Sequence, residues 1–300
     1  MLCSDLVKNN PRKITFYTAT DGNHGRGVAW AASKLGHKAV VYMPDGSSAA
    51  RRDAIRNEGA LCEVVIGANY DDCVRLAALE AQKTGGVIIQ DTAWEGYEEI
   101  PAWIMQGYAT MALETAEQLE SIGEWPTHIF IQAGVGSLAG AVLGFFKNYS
   151  PENCPVTTIV EPSAAACLYK SALAGKREIV TGDLNTIMAG LSCGEPNVIS
   201  WEILASHASF FAACPDYIAA KGMRILAAPL GDDMRIVSGE SGAVGIGLVA
   251  EIMTRFKLKD FRDALGLDNK SKILIFSTEG ATDPDKYRSI VWDGSFPSEA

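Results

Sequence analysis

Short apolar runs alternate along the chain with longer stretches in which hydrophobic residues recur at helical spacing. The runs predict buried strands at 14–18, 38–43, 61–66, 87–89, 127–131, 156–160 and 272–276. The stretches predict helices at 24–35, 47–58, 70–83, 101–119, 199–213, 216–227 and 238–256, and a further apolar helix that runs through Phe146. Strands that alternate with helices of this length form βαβ units. The sequence therefore predicts an α/β fold with two three-layer αβα domains and mainly parallel sheets.

The domain boundary is expected where the long helix at 101–119 interrupts the alternation. We place a smaller domain at 14–110 and a larger domain at 111–300. Residues 1–13 have no sustained apolar face and are predicted to be irregular. Each predicted domain then contains a sheet of its own.

Composition and charge restrict the class of protein. A hydrophobic content of 48% and a charged content of 21% predict a soluble globular protein with enough chain for two cores. The formal net charge of −10 disfavours nucleic acid and anionic membranes as partners. The sequence shows no secretory signal and no bilayer-spanning apolar stretch, so we predict a cytoplasmic protein. The cysteines and histidines show no metal-ligand spacing, and we predict no metal site.

The turn after the first strand carries candidate chemistry. The letters TATDGNHGRG lead from this strand directly into an apolar helical pattern. Backbone N–H groups and short side chains in such a turn face the carboxyl end of the strand, and the helix N-terminus favours an anion there. Asp21 is an acid in this turn. Its spacing is equally compatible with an N-cap of the helix.

A glycine-rich loop at 132–140, QAGVGSLAG, predicts a phosphate site. Glycines let backbone N–H groups converge on an anion at a helix N-terminus. The G-x-G-x-x-A spacing inside the loop also matches a dinucleotide fingerprint, and Glu161 ends the next strand, where a ribose-binding acid belongs. An NAD-dependent oxidoreductase that uses the loop from Gly134 to Gly140 is therefore an alternative.

Two further segments contain residues that could bind a ligand. Residues 90–97 place two acids and two large aromatics after the fourth strand, where open α/β sheets bind ligands. The aromatic rings are equally compatible with holding this loop on the core. Glu240 lies in the segment where the helix at 238–256 is predicted to start, and a capping box from Ser238 to Ser241 explains that segment as well as a ligand site does.

The TDGNHGRG segment resembles the cofactor-ring segment of fold type II pyridoxal-phosphate (PLP) enzymes, the tryptophan synthase β and threonine dehydratase group. The resemblance implies fold type II architecture, PLP as the cofactor, and a homodimer. Asn23 would contact the ring hydroxyl, and either Ser277 or Thr278 would contact the pyridine nitrogen. The phosphate would be bound by the glycine-rich loop through Gly134, Val135, Gly136 and Ser137.

Within that group, an acid at Asp21 together with QDTAWEGY at 90–97 resembles the diaminopropionate ammonia-lyases. The resemblance implies α,β-elimination from 2,3-diaminopropionate, which gives pyruvate and ammonia. Asp21 would accept a proton on one face of the ring, which would let the family process the D-isomer. Asp91 would act on the amino groups of the substrate. The implied substrate contacts are Thr20, Tyr97 and Glu240.

The start of the sequence departs from the family pattern. In fold type II enzymes, the lysine that binds the PLP aldehyde lies well upstream of the Gly-Asn-His segment. Lys8 and Lys13 precede that segment here, but neither has the family's Phe-Lys setting. We therefore expect the lysine-bearing segment to be absent from this sequence, and a PLP-fold protein without activity is a further alternative.

Overall fold

The computed structural model describes residues 13–20 and 22–298. The chain divides into two compact units, one up to residue 91 and one from residue 92. The predicted boundary lay later, between residues 110 and 111. The difference concerns the long helix Glu99–Ser121, which the predicted boundary divides and which lies wholly in the second unit.

The first unit is a four-stranded parallel sheet in the order β3-β2-β1-β4. The strands are β1 (Thr15–Ala19), β2 (Lys38–Pro44), β3 (Leu61–Val65) and β4 (Val87–Ile88). The helices are α1 (Asn23–Leu35), α2 (Ala49–Asn57) and α3 (Tyr70–Thr84). Alternate residues of β2 enter two different clusters, Val41 with α1 and α2 and Val40 with α3. Helices therefore cover both faces of this sheet.

Local sequence explains where these helices begin and end. Ser48 accepts a hydrogen bond from the Arg51 backbone N–H at the start of α2. Asn69 and Asp72 form a reciprocal capping box at the start of α3. Helix α1 ends at Gly36, whose φ of 71° is a left-handed conformation that favours glycine.

The second unit is a four-stranded parallel sheet in the order β7-β6-β5-β8. The strands are β5 (His128–Gln132), β6 (Val156–Pro162), β7 (Phe210–Cys214) and β8 (Ile273–Ile275). The helices are α4 (Glu99–Ser121), α5 (Ser137–Tyr149), α6 (Cys167–Ala174), α7 (Val198–His207), α8 (Asp216–Ala227), α9 (Glu240–Thr254), α10 (Lys259–Leu265) and α11 (Pro284–Val291). Phe130 faces one hydrophobic cluster, while Ile129 and Ile131 face the other. This unit also has three layers, and the predicted α/β class is confirmed.

Strand β7 corrects the predicted helix at 199–213. Helix α7 ends at His207, and Phe210–Cys214 pairs in parallel with β6. A short apolar run cannot be assigned to a buried strand or a buried helix from periodicity alone. Here the partner strand β6 decides the conformation.

Close helix packing fixes the position of α9, which carries Glu240 at its first residue. A Cβ atom on Gly222 of α8 would lie 2.0 Å from the Ala243 carbonyl oxygen. A Cβ atom on Gly247 of α9 would lie 1.9 Å from the Ile218 carbonyl oxygen. These glycines let the two helix backbones touch.

None of the helices in residues 13–20 and 22–298 is both long enough and apolar enough to cross a membrane. The same residues contain no group of three or more metal-ligating side chains.

Candidate functional site

The turn after β1 packs tightly on its strand. The Gly22 N–H donates to the Thr20 hydroxyl over 2.9 Å, and Thr20 is buried. A Cβ atom on Gly25 would lie 2.2 Å from Thr20 Cγ2, so only glycine allows α1 to approach the strand this closely. The residue before α1 is Gly22, one residue later than the N-cap alternative placed on Asp21. Asp21 itself lies outside the described residues.

A buried amide organises the neighbouring end of β4. The Gln90 Oε1 atom accepts from the Ala19 N–H over 2.9 Å, and its Nε2 atom donates to Asp91 Oδ1 over 3.1 Å. The Tyr70 hydroxyl also donates to Asp91 Oδ1, over 3.3 Å. Because β1 and β4 are neighbours in the sheet, Thr20 and Asp91 follow adjacent strands of the first unit. Gln90 and Tyr70 were not among the predicted site residues.

Lys13 lies at the other end of β1. Lys13 precedes β1, which begins at Thr15. Its ammonium group donates to the Gly36 carbonyl oxygen over 2.8 Å. Thr20 and Asn23 follow the carboxyl end of the same strand. Lys8 lies outside the described residues.

In the second unit, the loop before α5 adopts a conformation that only glycine tolerates. Gly136 has a φ of 99°, and a Cβ atom there would lie 2.8 Å from the Ser200 hydroxyl oxygen. The Ser200 hydroxyl donates to the Gly136 carbonyl oxygen over 2.5 Å. A Cβ atom on Gly134 would lie 3.1 Å from Cys193 Sγ. Ser200 and Cys193 therefore pack against this loop and hold its conformation. The first backbone N–H groups of α5 follow at the end of the loop.

Asn197 connects this loop to α7. Its Oδ1 atom accepts from the backbone N–H groups of Ile199 and Ser200, over 2.9 and 3.1 Å, and so caps α7. Backbone N–H groups only donate, so the amide orientation is fixed. The Nδ2 atom then donates to the Ser137 hydroxyl oxygen over 2.8 Å. The hydroxyl hydrogen of Ser137 is directed away from Asn197, at the first residue of α5.

The two hydroxyls after β8 have different partners. The Thr278 oxygen accepts from Gln132 Nε2 over 2.8 Å. The Ser277 hydroxyl donates to the Ser238 oxygen over 2.8 Å, and Ser277 is exposed. The sequence left these two candidates equivalent, whereas their hydrogen bonds distinguish them.

Glu240 is buried at the first residue of α9. The alternative capping box from Ser238 to Ser241 does not form, because the N-cap residue is Gly239, which has no side chain. Instead, Glu279 Oε1 accepts from the Ser241 N–H over 2.7 Å. Glu279, which is distant in sequence, thus accepts from a backbone N–H group at the start of α9, the role that the capping-box alternative gave to a nearby side chain.

Tyr97 lies in a tight turn with Trp94. Their rings stack with centroids 4.3 Å apart, and each backbone N–H of the pair donates to the other residue's carbonyl oxygen. Gly96 closes the turn with a φ of 84°. The two rings therefore pack on each other within the loop.

The family model described as pyridoxal-phosphate dependent enzyme matches residues 1–266. The chain belongs to this PLP-dependent family. The sequence is also 55% identical over 96% of its length to the diaminopropionate ammonia-lyase of Salmonella typhimurium, and it covers 72% of that protein.

Solved structures of diaminopropionate ammonia-lyase from Escherichia coli are similar in fold and in sequence. One, in complex with an aminoacrylate-PLP azomethine reaction intermediate, matches with a TM-score of 0.89 and 52% identity, over 95% of this chain and 72% of that chain. Another, in complex with D-serine, matches with a TM-score of 0.91 and 50% identity, over 97% and 73%. The fold type II architecture is therefore shown for this PLP-dependent chain.

The second unit fits the phosphate of PLP. Gly136 takes a left-handed turn directly before α5, and the Ser137 oxygen accepts from the Asn197 amide, so the Ser137 hydroxyl donates to a group other than Asn197. A dianionic phosphate needs N–H and O–H donors without a nearby carboxylate, and a helix N-terminus favours its charge. The residues at this loop supply donors of that kind.

Glu161 does not serve as a ribose ligand, which removes the support for the NAD alternative. It is fully buried, and its two oxygens accept from the backbone N–H groups of Leu168 and Tyr169 over 2.9 and 2.6 Å. The carboxyl group therefore caps α6 inside the unit. Burial raises the pKa of Glu161 to about 8, although those two hydrogen bonds oppose the change.

Glu161→Gln is expected to weaken the pH dependence of stability. The pKa of Glu161 is raised in the folded state, so the folded protein holds a proton that the unfolded chain releases between pH 4.5 and about 8. Stability therefore falls as pH rises through this window, by on the order of 1 kcal/mol per pH unit. Urea unfolding across the window measures the slope, which should be shallower in the variant.

The matched control for this experiment is Glu152→Gln, which changes an exposed acid of the same unit. It should keep the wild-type slope, because solvent surrounds this carboxyl group in both states. Identical slopes for Glu161→Gln and the wild type would contradict the assignment.

Proposed function

We propose that the protein eliminates ammonia from 2,3-diaminopropionate in a PLP-dependent reaction. One molecule of substrate and one of water give pyruvate and two of ammonia, so the reaction needs no oxidant. The observation that carries this proposal is the 55% identity, over 96% of the chain, to a diaminopropionate ammonia-lyase. When bound, PLP supplies an electron-withdrawing ring that acidifies the α-C–H bond of an amino acid.

The residues of the second unit hold the cofactor in this proposal. The phosphate is bound by the first-turn N–H groups of α5 and the Ser137 hydroxyl, in the loop that contains Gly134, Val135 and Gly136. The Asn197 amide donates to the Ser137 oxygen over 2.8 Å, and in this proposal it thereby directs the Ser137 hydrogen to the phosphate. Thr278 or Ser277 contacts the pyridine nitrogen. Tyr97 and Glu240 are proposed substrate contacts of this unit.

The residues of the first unit handle protons and amino groups. Asp21 accepts the α-proton on one face, and Asn23 donates to the ring hydroxyl. Asp91 binds the amino groups of the substrate, and the hydrogen bonds from Gln90 and Tyr70 hold its Oδ1 atom in place. Thr20 completes the substrate contacts.

We further propose a cytoplasmic homodimer. Phe256, Leu230 and Met234 are 87%, 85% and 84% exposed on the single chain. Exposed apolar side chains of this size are commonly covered by a partner.

The proposed reaction is tested by incubating the purified protein with PLP and each isomer of 2,3-diaminopropionate. Pyruvate and ammonia should form in a ratio of one to two, and omission of PLP should abolish both. L-Serine provides a comparison in which the β-substituent is a hydroxyl and only one ammonia is released. Saturable binding of a nicotinamide cofactor, without pyruvate from either isomer, would favour the oxidoreductase instead.

A further inference from the structure

Gln132 lies at the carboxyl end of β5, directly before the glycine-rich loop, and is almost fully buried. We propose that Gln132 is a positioning residue whose amide directs the Thr278 hydroxyl hydrogen toward the pyridine nitrogen of PLP. This inference rests on the proposed PLP function and assigns to Gln132 a role within it.

The orientation of the Gln132 amide follows from a neighbour that only accepts. Gln132 Nε2 lies 2.8 Å from the carbonyl oxygen of Phe276. A carbonyl oxygen has no hydrogen to donate, so the atom that faces it must be the amide nitrogen. The same argument excludes the flipped amide, which would bring two oxygens together.

The orientation of the Thr278 hydroxyl follows from that of the amide. The second N–H of Gln132 Nε2 faces Thr278 Oγ1, also over 2.8 Å. The Thr278 oxygen therefore accepts, and its own hydrogen is directed to another acceptor. A pyridine nitrogen with its lone pair exposed is such an acceptor.

Ser277 does not compete for this role. Its hydroxyl donates to the Ser238 oxygen over 2.8 Å, so its hydrogen is already engaged. Of the two hydroxyls that follow β8, Thr278 is the one whose oxygen accepts from the Gln132 amide.

Within the described part of the chain, the Gln132 amide oxygen, unlike its nitrogen, makes no hydrogen bond that would explain why a glutamine is present at this position. Its Oε1 atom is buried and has no hydrogen-bond partner among the residues that the structure describes. A buried acceptor without a partner lowers stability, and methionine would fill the same space without that loss. The Oε1 atom of Gln132, which has no partner in residues 13–20 and 22–298, thus lowers the stability of the fold. The two N–H groups of the same amide bind Phe276 and Thr278.

The consequence is chemical. A hydrogen-bond donor at the pyridine nitrogen keeps that nitrogen unprotonated. An unprotonated ring withdraws less electron density than a protonated one. A weaker electron sink favours loss of a β-substituent over the deeper charge delocalisation that transamination needs.

The test is Gln132→Met in holoenzyme reconstituted with PLP labelled with nitrogen-15 in the ring. The ring-nitrogen chemical shift reports protonation directly and does not require turnover. Without the amide, the Thr278 hydroxyl is able to rotate and accept from a protonated ring. We expect the pH at half-protonation to rise by about one unit, a tenfold shift in the protonation equilibrium.

Variants at Thr278 separate this role from a structural one. Thr278→Ser retains a hydroxyl and should keep the wild-type ring signal. In a Thr278→Val background, Gln132→Met should cause no further shift, because the hydroxyl that it orients is gone. Thermal unfolding with and without PLP shows whether each variant is folded and loaded.

Each outcome decides the proposal. An unchanged ring signal in Gln132→Met, or an equal shift with and without the Thr278 hydroxyl, would overturn it. A wild-type protein that binds PLP with an unprotonated ring but forms no pyruvate would contradict the proposed reaction alone. A protein that takes up no PLP would overturn both.

Discussion

Replacement of Asp21 by asparagine is expected to lower the turnover of D-2,3-diaminopropionate by about a hundred- to ten-thousand-fold, the usual contribution of a general base. The reason is that Asp21 is assigned to one face of the ring, and asparagine accepts no proton there. Turnover of the L-isomer, whose α-proton lies on the opposite face, should fall much less. The measurement is kcat/KM for both isomers with PLP at saturation.

Asp45→Asn is the matched control for this prediction. Asp45 follows β2, next to β1 in the same sheet, and its carboxylate accepts from the Gly46 and Gly67 N–H groups over 2.8 and 2.9 Å. Its replacement removes the same charge from the same unit, and should affect the two isomers equally. Equal losses on both isomers in Asp21→Asn would contradict the assignment to one face.

The fold was largely predictable because parallel strands buried on both faces produce continuous apolar runs. The run at 127–131 corresponds to β5, whose residues are all buried. The failure at β7 has the same origin, since Phe210–Cys214 is apolar throughout and follows a helix after only two residues. Pairing with β6, which lies far away in sequence, determines that conformation, and no local signal carries it.

The candidate site was predictable where one segment contains its own chemistry, as in the loop from Gly134 to Gly140. It was not predictable where long-range hydrogen bonds decide which atom donates. Gln132 and Thr278 are separated by 146 positions, and Asn197 and Ser137 by 60. A sequence pattern gives an asparagine before a helix, such as Asn197, as an N-cap. It does not reveal that the other end of the same amide orients a hydroxyl in a distant loop.

Glu161 shows the opposite error, in which a local pattern suggested a ligand that the fold uses internally. The G-x-G-x-x-A spacing and an acid at the end of the next strand fit a dinucleotide site as well as a phosphate site. The acid instead caps α6 through its two oxygens. The burial of that carboxyl group and its two backbone hydrogen bonds separate the two interpretations.

Asn197→Asp is expected to weaken PLP binding by about ten- to a hundredfold. Aspartate caps a helix as well as asparagine does, so Ile199 and Ser200 should keep their acceptor. The second carboxylate oxygen, however, faces the Ser137 hydroxyl and accepts its hydrogen, which is thereby lost to the phosphate. A hydrogen bond to a charged group contributes about 1.5–3 kcal/mol, which corresponds to this range in Kd.

Titration with PLP and with pyridoxal, which lacks the phosphate, separates this effect from a general loss of the site. Asn197→Asp should weaken PLP binding and leave the weaker binding of pyridoxal nearly unchanged. Asn197→Ser is the matched control, because serine also caps a helix but adds no charge beside Ser137. Its effect should be the smaller of the two. Equal weakening of PLP and pyridoxal in Asn197→Asp would show that Asn197 supports the fold of the loop and not the donor that meets the phosphate.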